Sequence, residues 1–201
     1  MVDFIRRVKS VLFSKPMRSW KKSGYVMPAP DKVKRLVLQR HSLEDCTWIE
    51  TGTFFGHTTL FLSGIAKHVW TIEPQHDLAI LASKRLSSKG NVTVLEGLSE
   101  DHLDLILNKV TGNVCFWLDG HYSSGVTFKG PIDTPIREEL QIIEKHIRRL
   151  GNIVILIDDM RCFEPKSIDY SQYPDRSWLV EWAIRNQLDW MIECDIFVAR
   201  T

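Results

Sequence analysis

Trp48-Ile-Glu-Thr-Gly-Thr-Phe-Phe-Gly-His-Thr-Thr59 is the stretch from which the fold is read: a short apolar run ends in an acid and two glycines and then becomes helix-compatible. It reads as strand, tight turn and helix start. Gly52 suits a turn that needs positive φ or a close backbone approach, and Gly56 suits the point where an incoming helix lies near the strand. Thr58 and Thr59 open the apolar stretch Leu60-Phe-Leu-Ser-Gly-Ile-Ala66, which is compatible with a packed helix. Such a turn leaves backbone N–H groups around a crevice in which a ligand can sit. Glycine-containing turns of this kind serve α/β proteins of every function, so chemistry has to be read from the rest of the chain.

Downstream, the alternation is regular. Strand-like runs fall at residues 47–50, 69–73, 92–96, 114–119 and 153–158, and the segments between the first four are helix-compatible, best at 77–86 with Leu78, Leu81, Ala82 and Leu86 at helical spacing. Val-Cys-Phe-Trp-Leu and Ile-Val-Ile-Leu-Ile are apolar throughout, as expected of strands buried on both faces. The pattern predicts a doubly wound, mostly parallel sheet with helices on both sides. A long helix is expected over 134–150 and another over 177–187, and the apolar ending at 190–199 splits near Cys194 and Asp195 into a closing antiparallel hairpin. Polar loops at 120–133 and 161–175 follow strand carboxyl ends, the side on which open α/β sheets bind ligands.

Upstream, Tyr25-Val-Met-Pro-Ala-Pro30 breaks a first helix, and Asp31 is expected to cap a second that runs to about His41. Residues 1–22 carry seven Lys and Arg against Asp3, with apolar positions 4, 5, 8, 11 and 12 on one helical face. This divides the chain into a basic N-terminal helical extension, 1–45, packing on a single domain, 46–201. A formal net charge of +1 argues against general nucleic-acid binding. No apolar run reaches the roughly eighteen residues of a spanning helix. The 4 scattered cysteines lack metal-type spacing and read as thiols of a reducing, cytoplasmic compartment.

Most of the strands end in an acid: Glu50, Glu73, Asp119 and Asp158, the last followed by Asp159. A carboxylate directly after an apolar run is costly to bury unless it is paired, hydrogen-bonded or turned toward a ligand. Glu73, on the second strand, has the place at which dinucleotide-binding folds set an acid on ribose hydroxyls. Ser99, in Glu96-Gly-Leu-Ser-Glu100, is placed near an adenine ring or as a helix cap, and the two roles are compatible. Asp119, Asp158 and Asp159 are three oxygen donors suited to Mg²⁺ or a similar hard cation, with structural anchoring as the competing role. His121, two residues after Asp119, is a candidate base for a substrate hydroxyl or a hydrogen-bonded loop histidine. His57 is read as structural or as a contact to a ligand carboxylate. Tyr122, Phe128, Phe163, Tyr170 and Tyr173 line an acceptor pocket or simply pack their loops.

Together, Glu50-Thr-Gly-Thr-Phe-Phe-Gly56, Glu73, Gly97-Leu-Ser-Glu100 and Phe116-Trp-Leu-Asp-Gly-His121 resemble the motif series of the class I S-adenosylmethionine (SAM)-dependent methyltransferases, from Cys46 onward. The pairing of Asp119 with Asp158-Asp159 resembles the metal-dependent O-methyltransferase branch, particularly the macrocin type acting on sugar hydroxyls. The resemblance implies a Rossmann-like methyltransferase fold and a cofactor site of Glu50, Thr51, Gly52, Thr53, Gly56, His57 and Thr58 with Glu73 on ribose, Ser99 and Glu100 beside adenine, and Asp119 beside the sulfonium. It implies Mg²⁺ on Asp119, Asp158 and Asp159, and His121 with Asp119 as the catalytic pair. The expected partner is a small-molecule or sugar hydroxyl acceptor, with a homodimer through the N-terminal helix. A nicotinamide-dependent oxidoreductase shares the ribose acid but needs a full GxGxxG, which this turn lacks. A non-catalytic Rossmann-like nucleotide-binding protein is the other alternative, and RNA or protein methylation docked by the basic N-terminus is a third.

Overall fold

The computed structural model describes residues 15–120, 134–164 and 172–201. Its centre is a 7-stranded sheet. In chain order the strands are β1 (Thr47–Thr51), β2 (His68–Glu73), β3 (Val92–Glu96), β4 (Val114–Leu118), β5 (Ile153–Ile157), β6 (Asp189–Glu193) and β7 (Ile196–Arg200). They lie in the order β3-β2-β1-β4-β5-β7-β6. The first five are parallel, whereas β7 runs antiparallel to both β5 and β6. The expected doubly wound sheet and closing hairpin are therefore both present. Cys194 and Asp195 form the hairpin turn, both with positive φ (50° and 71°), the backbone that tight antiparallel turns require.

The helices are α1 (Lys15–Lys22), α2 (Asp31–His41), α3 (His57–Leu62), α4 (His76–Leu86), α5 (Ser99–Leu107), α6 (Ile136–His146) and α7 (Arg176–Arg185). The long helix expected over 134–150 is shorter, because its last turn tightens into a 3₁₀ segment at Ile147–Arg149, a common way to end a helix. Asp31 opens α2 from inside its first turn and caps nothing: Pro30 holds the cap position without a side-chain bond. Residues 1–14, with the apolar positions read as a helical face, lie outside the described residues.

Alternation along the strands sends neighbouring side chains to opposite layers. Ile49, Phe116 and Ile155 join α5, α6 and α7 through Leu103, Leu140 and Leu179 in one core. Trp48, Cys115, Trp117 and Leu156 face the other way, onto Val37 and Leu38 of α2 and Leu62 of α3. β1, β4 and β5 are buried along their whole length, as a parallel sheet covered on both faces requires. Helix α2 is thus part of the domain core. Burying Val37 and Leu38 is worth roughly 2 kcal/mol each, enough to fix how the helix sits on the sheet. Asp31, Lys34 and Arg35 on the same helix are consequently held, beside Leu38, over the carboxyl ends of the strands.

Candidate functional site

The sheet reverses its winding between β1 and β4, and at such a switch point the two outgoing loops diverge and leave a crevice. A cavity of about 280 Å³ opens there, lined by Gly52, Thr53, Phe54, Phe55, His57 and Thr58 after β1, by Trp117, Asp119 and Asp158 from β4 and β5, and by Asp31, Lys34, Arg35 and Leu38 of α2. Of the cofactor residues named from sequence, Gly52, Thr53, His57, Thr58 and Asp119 meet in this cavity.

Gly52 has φ +82°, and a Cβ on it would lie 2.5 Å from the carbonyl oxygen of Asp119. The turn after β1 and the end of β4 pack backbone to backbone, and only glycine fits. Gly56 has φ +72°, and a Cβ there would meet Leu86 Cδ1 of α4 at 3.2 Å. Its close neighbour is therefore a helix, as expected, but one contributed by the next βα unit.

Glu50 is not among the residues that line the cavity. It lies within β1, fully buried, where its Oε2 accepts hydrogen bonds from the hydroxyls of Thr59 (2.5 Å) and Thr71 (2.6 Å). Thr71 in turn meets Thr53 at 2.6 Å. Glu50 Oε1 has no partner among the described residues. Burial pushes the Glu50 carboxyl up to about 7, against the opposing pull of the two threonines. Glu73, at the end of β2, accepts from the backbone N–H of Phe54 (2.7 Å) and of Gln75 (3.0 Å). It holds the β1 turn, where Phe54 adopts φ 51°, and each carboxylate oxygen retains a second lone pair for a ligand hydroxyl. Burial raises its pKa, and the two backbone bonds oppose that.

Ser99 is the first residue of α5, with Leu98 at the cap position and no side-chain cap bond. The capping role read from sequence is therefore not realised; the Ser99 hydroxyl donates to Glu100 Oε2 at 3.1 Å instead. Glu73, Ser99 and Glu100 stand on the β2–β3 side of the sheet, outside the cavity at the switch point. The two groups of predicted cofactor residues thus span the strand ends from β3 to β4, as an extended ligand would.

Asp119, Asp158 and Asp159 come together as expected, each with a carboxylate oxygen within 4.8 Å of the others. What the sequence reading missed is their company. The Lys34 ammonium of α2 pairs with Asp158 Oδ2 and, at 3.2 Å, with Asp159 Oδ1. Arg161 Nη1 also donates to Asp159 Oδ1, at 2.5 Å, and pairs with Asp195 in the β6–β7 turn. Asp158 Oδ1 accepts the N–H of Asp159 at 2.8 Å, a residue in left-handed backbone at φ 58°, the strained geometry that gathers at functional sites. Burial alone would lower the Lys34 pKa, yet Asp158 and Asp159 raise it well above an ordinary lysine. Asp158 is pushed up to about 8 by burial and by Asp119, with Lys34 opposing.

Three carboxylates at this spacing have the donor chemistry of a hard-cation site. Their arrangement does not fit Mg²⁺, however. A dication would have to displace the Lys34 ammonium from Asp158 and Asp159 and compete with Arg161 for Asp159. The Mg²⁺ expectation is not supported, and no chemical step is derived through an ion.

Glu139 of α6 was not foreseen. It is 1% exposed, and burial pushes its carboxyl up to about 7. Its Oε1 and Thr51 Oγ1 lie 3.5 and 3.2 Å from the place a Cβ on Gly120 would take. Among the described residues Glu50 Oε1 and Trp117 Nε1 are buried polar atoms without partners, whereas the Ser99 and Thr51 hydroxyls interact with the Glu139 carboxyl and oppose its rise. An orphaned buried acceptor or donor costs about 1–3 kcal/mol, and Trp117 is one of the residues that line the cavity. Phe163 and Tyr173 do not line the cavity: they pack edge to face at 5.1 Å, Phe163 within the core. His121, Tyr122, Phe128 and Tyr170 lie outside the described residues.

No protein-family model matches the chain, and no curated protein matches its sequence. Solved structures do match its fold. SMU.1697c from Streptococcus mutans, in complex with SAH, superposes with a TM-score of 0.52 at 17% identity, over 87% of this chain and 98% of that one. The N-methyltransferase NodS from Bradyrhizobium japonicum gives 0.55 at 14% identity, over 85% and 94%. A SAM-dependent methyltransferase from Aquifex aeolicus gives 0.51 at 15% identity, over 93% and 97%. The fold is that of the Rossmann-like methyltransferases. At such low identity the likeness carries the architecture, and the activity has to be argued from the site. Among the described residues no helix is long and apolar enough to cross a membrane.

Proposed function

We propose that the protein is a SAM-dependent methyltransferase acting on a hydroxyl of a small molecule or sugar. The observation that carries this reading is the cavity at the β1–β4 switch point, where the Gly52 turn meets Asp119 beneath the Lys34 face of α2. The donor set suits SAM. Glu73 offers lone pairs to ribose hydroxyls at the end of β2, Ser99 and Glu100 stand beside the next strand for the adenine, and the β1 turn takes the amino-acid end. Glu50 and Glu139 add buried carboxyls where a cationic ligand would favour their charged forms.

When bound, SAM supplies an electrophilic methyl group on a sulfonium. The protein's own part is alignment. Asp119 and Asp158 line the cavity and are the described carboxylates that can orient an acceptor hydroxyl and receive its proton. His121, read from sequence as the base, follows Asp119 by two residues and belongs to the same proposal. Phe54 and Phe55, with ring centroids 4.2 Å apart, stand at the cavity wall and exclude water from the acceptor side. Homodimer formation through the N-terminal segment remains part of the proposal. The decisive experiment is calorimetric titration with S-adenosylhomocysteine, beside a Glu73→Ala control. Micromolar binding lost in the control supports the reading, and no binding to the wild type sinks it.

A further inference from the structure

Helix α2 puts a lysine where the sequence pattern called for a metal. Asp31, Lys34, Arg35 and Leu38 recur at helical spacing on the face that lines the cavity. Lys34 Nζ pairs with Asp158 and Asp159, two of the three carboxylates that gather at the ends of β4 and β5. These ion pairs join residues 124 and 125 positions apart in the chain. The lysine side chain is only 17% exposed, and that of Asp158 2%. A charge pair so far from solvent is held because each partner would be severely penalised alone. Arg161 closes the other side of Asp159 and ties it to Asp195.

We propose that the Lys34 ammonium is the resident cation of the Asp119–Asp158–Asp159 cluster and takes the place of a divalent metal. The proposal rests on the methyltransferase reading for what the cavity is used for, but not for its test. An ammonium holds two carboxylates through directional N–H bonds and is tethered to the fold, so no ion has to be captured from solution. Two of its three N–H donors go to Asp158 and Asp159. The remaining donor is available to an oxygen atom of a molecule bound in the cavity. Lys34 is thus a positioning residue: it orients Asp158 and Asp159 beside Asp119, and it makes the site independent of added metal. The burial of Val37 and Leu38 beneath it holds the helix, so the cation is built into the fold.

The test is titration of the full chain with Mn²⁺ alone, followed by electron paramagnetic resonance of the free ion, for the wild type, Lys34→Met and Lys34→Arg. The wild type and Lys34→Arg are expected to leave micromolar Mn²⁺ free. Lys34→Met, with the positive charge taken out of contact with the carboxylates, is expected to bind one Mn²⁺ tighter by on the order of a hundredfold. Stoichiometric micromolar Mn²⁺ binding by the wild type would overturn the proposal, and this arm holds even if Lys34→Met does not fold. A folded Lys34→Met with no gain in Mn²⁺ affinity overturns it as well. Calorimetry with S-adenosylhomocysteine on the same wild-type sample separates the two ideas. Cofactor binding together with Mn²⁺ binding removes only the lysine proposal, whereas loss of cofactor binding alone removes only the functional reading.

Discussion

Gly52 and Asp119 touch through their backbones: the position of a Cβ on Gly52 lies 2.5 Å from the Asp119 carbonyl oxygen and 2.8 Å from its carbonyl carbon. The contact is reinforced by the Asp119 N–H, which donates to Thr51 O at 3.1 Å, and by the Gly52 N–H, which donates to Ile72 O at 3.0 Å. Three strands are thereby locked at one point, with the candidate catalytic acid attached to it.

Gly52→Ala is expected to lower stability by about 3 kcal/mol or more, because a methyl group meets backbone that cannot swing away and φ is positive. Gly90→Ala is the control, since a Cβ there has no neighbour within 4 Å, and its effect is expected to stay within roughly 0.5 kcal/mol. Urea midpoints of the two variants check this, and equal midpoints would contradict the contact.

Glu73→Ala removes the acceptor for two backbone N–H groups, those of Phe54 and Gln75. A stability loss of about 1–3 kcal/mol is expected from the orphaned donors. If Glu73 also binds ribose, S-adenosylhomocysteine affinity drops by roughly tenfold or more, since a charged hydrogen bond is worth about 1.5–3 kcal/mol. Glu73→Gln keeps one acceptor oxygen and should recover more of the stability than of the affinity. Calorimetry and thermal melting on both variants separate these roles.

Glu50 and Glu139 set the pH dependence of the ligand-free protein. Each carboxyl is raised by burial from 4.5 to about 7 in the folded state. The folded form therefore binds more protons than the unfolded one between those values, and stability falls as pH rises through that window and levels off above it. Asp158, raised to about 8 mainly by burial, extends the decline in the same direction. Each glutamate accounts for up to roughly 3 kcal/mol. Glu139→Gln should flatten the profile between pH 5 and 7. A wild-type midpoint that does not change over that range would refute the assignment.

Asp119→Ala is expected to abolish methyl transfer while weakening cofactor binding only a few-fold, about 1 kcal/mol or less. The side chain lines the cavity beside Asp158, whereas the main chain at 119 carries the contact with Gly52, which alanine preserves. Single-turnover assays beside calorimetry measure the two effects, and an active Asp119→Ala enzyme would remove Asp119 from the chemistry.

Much of the site was legible in the chain because strands and their ends are local events. Five apolar runs, each closed by an acid or a turn residue, were enough to place the parallel sheet, the positive-φ glycine and the meeting of Asp119 with Asp158 and Asp159. Burial on both faces writes itself as a continuous apolar run, and a strand-end acid shows as a break in it. The hairpin was legible for the same reason, since its turn at Cys194 and Asp195 interrupts a run too long for one strand.

Glu139 and Lys34 were decided only by tertiary structure. Each sits in a helix rich in charge, where a buried acid or a pocket-facing lysine has the same sequence signature as its solvated neighbours. Glu139 is buried because α6 packs its Leu140 and Ile143 stripe on the sheet and carries the glutamate in beside Thr51. Lys34 reaches Asp158 because Val37 and Leu38 seat α2 on Trp48 and Trp117, across more than a hundred residues of chain. Sequence by itself determined the sheet, its switch point and the carboxylates there, since period and burial are local. Which cation meets those carboxylates was decided by the angle at which a helix docks, and that angle depends on side chains contributed by strands far apart in the chain.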